Sequence, residues 1–288
     1  MSYRSVFRSD LFAGQTHIVT GGGSGIGRCT AHELASLGAH VVLVGRSVER
    51  LEKTVAEIVE DGGSASYVSL DIREEQAVKD AVAQVLAERG AIHGLVNNAG
   101  GQFPSPLMHI SKKGWDAVVN SNLTGGFLFA REVFNQYMLA NGGSIVNIIA
   151  DMWRGMPGMG HSGAARAGMF SFTETAAVEW AFAGVRVNSV APGFIASSGM
   201  DRYDPAFAET VIPQMRGLIP AKRMGDEDEI SSTIVFLLSP AASYMTGACL
   251  CVDGGSSLNT KLFPLPDHNR MPPQHAFHRA VKPKAVKD

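Results

Sequence analysis

The 288-residue chain is 45% hydrophobic and 18% charged, with 32 glycines, 13 prolines and three cysteines. Most of that length fits one α/β domain of roughly 200–250 residues, and a chain this size buries about 75% of its unfolded surface, enough to fold without disulfides or a metal. The 25 Lys and Arg nearly balance the 27 Asp and Glu, for a net charge of −2, which argues against a nucleic-acid protein needing a basic patch.

Cys29, Cys249 and Cys251 form no disulfide framework and suit a reducing compartment. No apolar run reaches the roughly 18 residues of a membrane span, and Met1–Asp10 is too polar for a signal peptide, so a soluble intracellular protein is expected. The charge is uneven. From Ser256 onward six basic residues face two acids, a balance of +4, so residues 1–255 carry −6; the same end holds five prolines and three histidines. The chain therefore divides into a domain over 1–255 and a basic, Pro-rich extension over 256–288.

Short β-branched runs predict strands at Thr16–Thr20, Val41–Val44, Ser66–Leu70, Ile92–Val96, Ser144–Ile149, Arg186–Val190 and Ala248–Val252. Their near-continuous apolar character fits strands covered on both faces. Helices are predicted at Gly25–Leu37, Val48–Glu60 and Glu75–Arg89, stopped by Gly38, Gly62 and Gly90. Strand–helix–strand alternation implies right-handed crossovers and a doubly wound parallel sheet in a single domain. Residues 194–225, rich in Ser, Gly, Pro and Met, break the rhythm and read as a substrate lid.

After the first strand comes Thr20-Gly21-Gly22-Gly23-Ser24-Gly25-Ile26-Gly27-Arg28, opening a helix. Glycines let backbone approach a pyrophosphate, and the helix N-terminus offers free N–H groups and positive dipole to it. The spacing Gly21-x-x-x-Gly25-x-Gly27 resembles the short-chain dehydrogenase/reductase family. Asn97-Asn98-Ala99-Gly100 after the fourth strand, Asp71 after the third, Asn122 in Asn-Leu-Thr-Gly, Pro192-Gly193 after the sixth and Asp253-Gly254-Gly255 after the last extend the resemblance over about residues 10–257. It implies a Rossmann-type sheet, a nicotinamide cofactor, and dimers or tetramers. Beyond the glycine loop (Gly21, Ser24, Gly25, Ile26, Gly27), the cofactor residues it implies are Asp71, Ile72, Asn98, Ala99, Gly100, Arg166, Pro192, Gly193 and Ile195.

An NAD site wants an acid at the end of the second strand for the ribose 2′-OH. This strand ends Val44-Gly45-Arg46-Ser47, and a guanidinium there suits a 2′-phosphate. NADP(H) is therefore expected, with Arg28 adding a second charge.

Typical members of that family carry Ser, Tyr and Lys around and after the fifth strand, Tyr giving a proton to the alkoxide and Lys lowering its pKa. Ala167-Gly168 sets the register here and puts Arg166 at the Lys position, Ser162 at the Tyr position and Ile149 at the Ser position. A serine hydroxyl is a far weaker acid than a phenol, so carbonyl reduction by that triad is not expected.

A narrower resemblance, to the peroxisomal trans-2-enoyl-CoA and 2,4-dienoyl-CoA reductases, rests on His161-Ser162-Gly163-Ala164-Ala165-Arg166-Ala167-Gly168, Gly100-Gly101-Gln102-Phe103, His109-Ile110-Ser111 with Gly114-Trp115, and Pro220-Ala221-Lys222-Arg223. It implies hydride transfer to a carbon conjugated with an acyl-CoA thioester, in fatty-acid chemistry, with donors stabilising an enolate oxygen. The Tyr and Lys of the enoyl branch are here Phe170 and Glu174, and the Tyr of the dienoyl branch is Asp151.

The catalytic candidates are thus Asn122, Asp151, His161, Ser162 and Arg166. Asp151 is either a proton donor raised by burial or a solvated loop aspartate; His161 is either titratable chemistry or packing at a helix start. Alternatives are a carbonyl/alcohol dehydrogenase of the 3-oxoacyl/3-hydroxyacyl type, and a catalytically silent NADP(H)-binding protein.

Cys249 and Cys251 point to one face of the last strand and read as core. No metal is expected, the nine histidines lacking ligand spacing. The chain ends Val286-Lys287-Asp288, without the targeting tripeptide of the peroxisomal relatives, which suggests a bacterial-type cytoplasm. The basic tail is read as either disordered or wrapped around a neighbouring subunit.

Overall fold

A computed structural model of the chain describes Tyr3 and residues 7–200, 214–260, 265–283 and 286. Strands β1 (Thr16–Thr20), β2 (His40–Gly45), β3 (Ser64–Ser69), β4 (Gly94–Asn97), β5 (Gly143–Ile148), β6 (Val185–Pro192) and β7 (Cys249–Val252) make one sheet in the order β3-β2-β1-β4-β5-β6-β7. Every pairing is parallel. The anticipated doubly wound, Rossmann-type sheet is present, with each predicted strand within two residues of its place. Its order reverses between β1 and β4, so a crevice opens there at the carboxyl ends of the strands.

The helices are α1 (Gly25–Ser36), α2 (Val48–Glu60), α3 (Glu75–Arg89), α4 (Lys112–Val119), α5 (Gly125–Val133), α6 (Leu139–Asn141), α7 (Gly160–Glu179) and α8 (Glu227–Leu238). The predicted α2 and α3 match end for end. Gly90 stops α3 by taking the left-handed conformation at φ +75°, which costs glycine little.

Alternation along the strands explains the continuous apolar runs. Val19, Val41 and Leu43 pack on one face with Leu34 of α1 and Ile230 and Ile234 of α8. Ile18, Val42 and Val44 pack on the other with Val78 and Val82 of α3 and Phe129 of α5. The sheet thus places the carboxyl ends of β1, β4, β5 and β6 side by side under one set of loops.

Two expectations change. Cys251 is exposed and Cys249 half-buried, because β7 is an edge strand rather than a central one. The alternative of a disordered extension does not hold for its described part, which packs on its own domain, with Ala276 and Phe277 only 4% exposed beside Tyr3 and Cys29. Much of the expected lid, residues 201–213, lies outside the described residues. Among those described, no helix is long and apolar enough to cross a membrane, and no group of three His, Cys, Asp or Glu is placed to hold a metal ion.

Candidate active site and nucleotide groove

A groove of about 400 Å³ opens at the point where the strand order reverses. Of the residues implied to hold a cofactor, Gly21, Ser24, Gly25, Ile26, Arg46, Asp71, Ile72, Asn98, Ala99 and Gly100 line it, together with Gly23, Ser47, Arg50, Gly101, Ser121 and Ser197–Gly199. Gly27, Arg28, Arg166, Pro192, Gly193 and Ile195 are not part of its lining.

The loop glycines serve two different ends. Gly25 sits at φ +56°, where a Cβ would meet nothing nearer than Glu227 Oε1 at 3.8 Å, so conformation rather than crowding requires glycine there. At Gly21 a Cβ would stand 2.8 Å from Asn98 Nδ2 and 3.0 Å from Ala99 Cα; here the neighbouring loop leaves no room. Ser24, at the N-cap of α1, gives no side-chain bond to the first turn.

Thr20, which the motif reading passed over, is the anchor of that neighbouring loop. Its Oγ1 accepts from the backbone N–H of Asn98 and Ala99, both at 3.0 Å, and donates to the Val96 carbonyl at 3.2 Å. Asn98 Nδ2 donates to the Thr20 carbonyl at 2.9 Å.

Arg46 is exposed at the end of β2, and Arg50, one turn into α2, adds a second guanidinium to the groove. No local signal announces Arg50, since Arg46 precedes α2 and helical spacing does not relate the two. Asp71 is bonded by Arg73, whose Nε lies 2.9 and 3.0 Å from its two oxygens, and this bond holds the carboxyl below its usual range. Arg28 does not supply the expected second charge. Its Nε donates to Glu57 Oε2 at 2.7 Å, its Nη1 to the Arg279 carbonyl at 3.3 Å, and its guanidinium lies 5.0 Å from the centre of the Phe277 ring. A buried carboxylate and an aromatic face together claim the guanidinium away from the groove.

Glu227, also missed, opens α8 and is 9% exposed. Burial pushes its carboxyl up to about 7, against the pull of Arg28 and of a backbone N–H bond from Ser198.

At the catalytic end, α4 runs into α5 through a π-helical turn, Asn120–Thr124, a distortion common at functional positions. It carries Asn122, 2% exposed, whose Oδ1 accepts from Gly101 N at 2.9 Å and whose Nδ2 donates to Gly101 O at 2.8 Å. Arg166 reaches from α7 to β5 and donates from Nη1 to the Ile148 carbonyl at 2.6 Å. Its Nε is buried without a hydrogen-bond partner, and burial draws the guanidinium down to about 10. A Cβ on Gly100 would come within 2.7 Å of Arg166 Nη2 and would collide with Asn122 Oδ1. Asn122, Gly100, Gly101 and Arg166 therefore meet in one place.

Ser162 is fully buried, and its hydroxyl donates to Gln102 Oε1 at 2.6 Å. Its backbone N–H donates to His161 Nδ1 at 2.9 Å. An N–H can only donate, so Nδ1 carries the lone pair and Nε2 carries the hydrogen of the neutral ring. His161 Nε2 is itself buried without a partner, and the ring stands edge-on to Phe103 at 4.5 Å. Ile149, at the Ser position of the family, is core at 3% exposure. Phe170 packs on Trp153 at 5.1 Å and Glu174 is exposed. Asp151 is half-buried and lies apart from this group in its contacts: Ser256 Oγ donates to its Oδ2 at 3.2 Å, and its N–H donates to the Pro192 carbonyl at 3.2 Å.

The family profile described as enoyl-(acyl carrier protein) reductase matches residues 21–257. The chain belongs to the short-chain dehydrogenase/reductase family. This short-chain dehydrogenase/reductase is 36% identical over 249 residues to the "Probable 2,4-dienoyl-CoA reductase" of Bacillus subtilis strain 168, covering 84% of this chain and 96% of that one. It is 64% identical to the solved structure of the citronellol catabolism dehydrogenase (AtuB) of Pseudomonas aeruginosa PAO1, with TM-score 0.81, covering 88% of this chain and 100% of that one. A solved dehydrogenase from Beutenbergia cavernae, determined with NADP at low occupancy, is 32% identical with TM-score 0.81 and the same coverage.

The family uses nicotinamide cofactors, and the groove of this short-chain dehydrogenase/reductase fits one. The α1 N-terminus is left uncapped by side chains, Gly25 leaves space at it, and Arg46 and Arg50 stand at the far wall. Chemically, the catalytic end offers hydrogen-bond donors, Arg166 and the Nε2–H of His161, and lacks the phenol–ammonium pair.

Proposed function

We propose that this chain is an NADP(H)-dependent oxidoreductase that reduces an enoyl- or dienoyl-CoA-type conjugated thioester. The observation that carries the reading is Arg166: a buried guanidinium with a bare Nε, bonded to the Ile148 carbonyl, at the position where the family's proton-relay lysine would stand. A buried cation of that kind favours an oxygen on which negative charge develops, as it does on a thioester oxygen when the conjugated double bond is reduced. It does not replace the acid that an alkoxide needs. When bound, the nicotinamide supplies the hydride.

The chain's own residues then divide the work. Ser24 to Ile26 and the α1 N-terminus would hold the pyrophosphate. Arg46 and Arg50 would hold a 2′-phosphate, which is what favours NADP(H) over NAD(H). Asn122 fixes the Gly100–Gly101 backbone, and Arg166 with His161 offers donors to the developing enolate. Asp151 is the group proposed to hand a proton to carbon. Trp153 at 42% exposure and Phe103 at 40% give an acyl chain apolar surface at the mouth.

An alcohol or carbonyl dehydrogenase is the second reading, favoured by the 64% identical relative that is named a dehydrogenase of citronellol catabolism. That name also points to a branched acyclic skeleton as the hydrocarbon part. The same proposal includes a homo-oligomer, dimer or tetramer, supported by the exposed Val178 and Phe182, a cytoplasmic location, supported by the bacterial relatives, and a catalytic domain to Gly255 followed by a basic extension, supported by a family profile that stops at residue 257.

NADPH oxidation with enoyl-, 2,4-dienoyl- and 3-oxoacyl-CoA, set beside NADP-dependent oxidation of branched acyclic alcohols, separates the readings. Turnover on the conjugated thioesters is expected. Activity confined to the 3-oxoacyl or alcohol substrates would replace this reading by the second, and tight NADPH binding without turnover would make the protein a silent binder. Asp151→Asn should lower turnover strongly and leave NADPH affinity unchanged.

A further inference from the structure

The family profile ends at residue 257, yet residues 265–283 beyond it are tied down at several points. Lys222 Nζ donates to the Leu265 carbonyl at 3.2 Å, and Arg223 Nε donates to the Met271 carbonyl at 2.6 Å. His275 Nδ1 lies 3.2 Å from Asp226 Oδ2, and Ala276 N–H donates to Asp228 Oδ2 at 2.7 Å. The Phe277 ring then covers Arg28 at 5.0 Å and His32 at 5.0 Å on α1. Finally Arg279 bonds Asp61 through Nε at 2.8 Å and Nη2 at 2.7 Å, and Glu60 at 2.8 Å, at the end of α2.

This segment therefore bridges three helix ends, and two of them border the groove from the other side. α1 carries the phosphate loop at its start. α8 begins with Glu227, placed between the two tethered acids Asp226 and Asp228; its carboxylate faces Gly25, and it accepts from the N–H of Ser198, a groove residue. Glu33 of α1 accepts from Ser231 of α8, so the two helices already touch beneath the segment. Its basic balance meets the acids of the domain, which gives the docking its direction.

We propose that residues 265–283 form an intramolecular clasp that holds α1 against α8 and so tightens cofactor binding at the phosphate end of the groove. The inference rests on the reading that the groove takes a nicotinamide dinucleotide. Coupling of this kind is reciprocal: whatever factor the clasp adds to cofactor affinity, the cofactor adds to clasp docking.

The test uses the full chain. NADPH affinity is measured by fluorescence titration in wild type, Phe277→Ala, Arg279→Asp, Asp61→Arg and the Arg279→Asp/Asp61→Arg pair; cleavage within 265–283 is followed by limited proteolysis with and without saturating NADPH. Phe277→Ala and Arg279→Asp should each weaken NADPH about fivefold or more, the charge-swapped pair should recover most of the loss, and NADPH should slow cleavage in wild type by a similar factor. Arg279 is a surface residue, so its variant keeps the core intact if Phe277→Ala does not. Faster cleavage with unchanged NADPH affinity in both single variants would overturn the clasp and leave the cofactor reading standing. Failure of wild type to bind either NADPH or NADH would overturn both.

Discussion

The nucleotide groove and the catalytic end lie under the same loops but are satisfied to different degrees. Around the groove, polar groups have found partners within the protein: Thr20 closes on Val96, Asn98 and Ala99, Asp71 on Arg73, Arg28 on Glu57. At the catalytic end Arg166 keeps a buried Nε, and His161 a buried Nε2, with no partner. Native proteins leave few such groups; among the described residues the others are on His17, Asn97 and His278, so bareness alone marks no site. It is the meeting of Arg166 with Asn122 and Gly100 that makes this end the candidate for chemistry, and the satisfied network is the frame that holds it.

The strongest way to break that contrast is to remove the unpaired cation. Arg166→Met should cost about 10²–10³ in turnover, the size of losing one donor to a developing oxyanion, with little loss of thermal stability because an uncompensated buried charge goes with it. Steady-state kinetics and a melting curve check both halves; unchanged turnover would make Arg166 part of the frame.

Glu227 is the frame's own exception. Its folded-state pKa of about 7 lies above the ordinary 4.5. The native state therefore holds its proton longer than the unfolded state, and stability falls as pH rises between those values and stays lower above them. Glu227→Gln should then raise stability at pH 8 by up to about 3 kcal/mol and change little at pH 4, as read by denaturant melts at the two pH values. An equal gain at both would show that packing, not ionisation, is involved.

Arg46→Ala should weaken NADPH about tenfold and NADH hardly at all, by parallel fluorescence titrations; equal loss for both would remove the 2′-phosphate contact. Asn122→Ala tests the frame itself. It loses two bonds to Gly101, a cost of about 1–3 kcal/mol, visible as a lower melting temperature together with slower turnover. Loss of stability alone would place Asn122 wholly in the frame.

Much of the fold was legible because its signals are local. Ile18 and Val19 are adjacent, both buried and on opposite faces of the sheet, so a continuous apolar run announces a strand between two helix layers. Gly90 ends α3 by a conformation its residue type invites. The groove was readable wherever backbone defines it, at Gly21, Ser24, Gly25 and Asn98.

What was not readable depends on partners distant in the chain. Arg28 sits where a phosphate ligand is plausible, and only the approach of Glu57, 29 positions on, and of Phe277 shows that it is engaged elsewhere. The tail's charge predicts attraction to an acidic domain but not the address at Asp61 and Asp226. Gln102 falls within the Gly100–Phe103 motif, but its bond to Ser162 is set by the crossing of a loop and α7. Cys251 looks like core in the sequence because the sequence does not say which strand ends the sheet.

His161 carries a stereochemical consequence. With Nδ1 accepting from the Ser162 N–H, its neutral ring owns a single hydrogen, on Nε2, and giving that hydrogen away would leave an anion in a buried site. Under the conjugate-reduction reading His161 polarises without delivering, and the hydrogen that ends on carbon arrives from Asp151 or from water. Reduction in heavy water would distinguish the two sources by geometry. A donor held in the site labels one face of the product, so loss of that selectivity in Asp151→Asn would make Asp151 the source, and unchanged selectivity and rate would make it water.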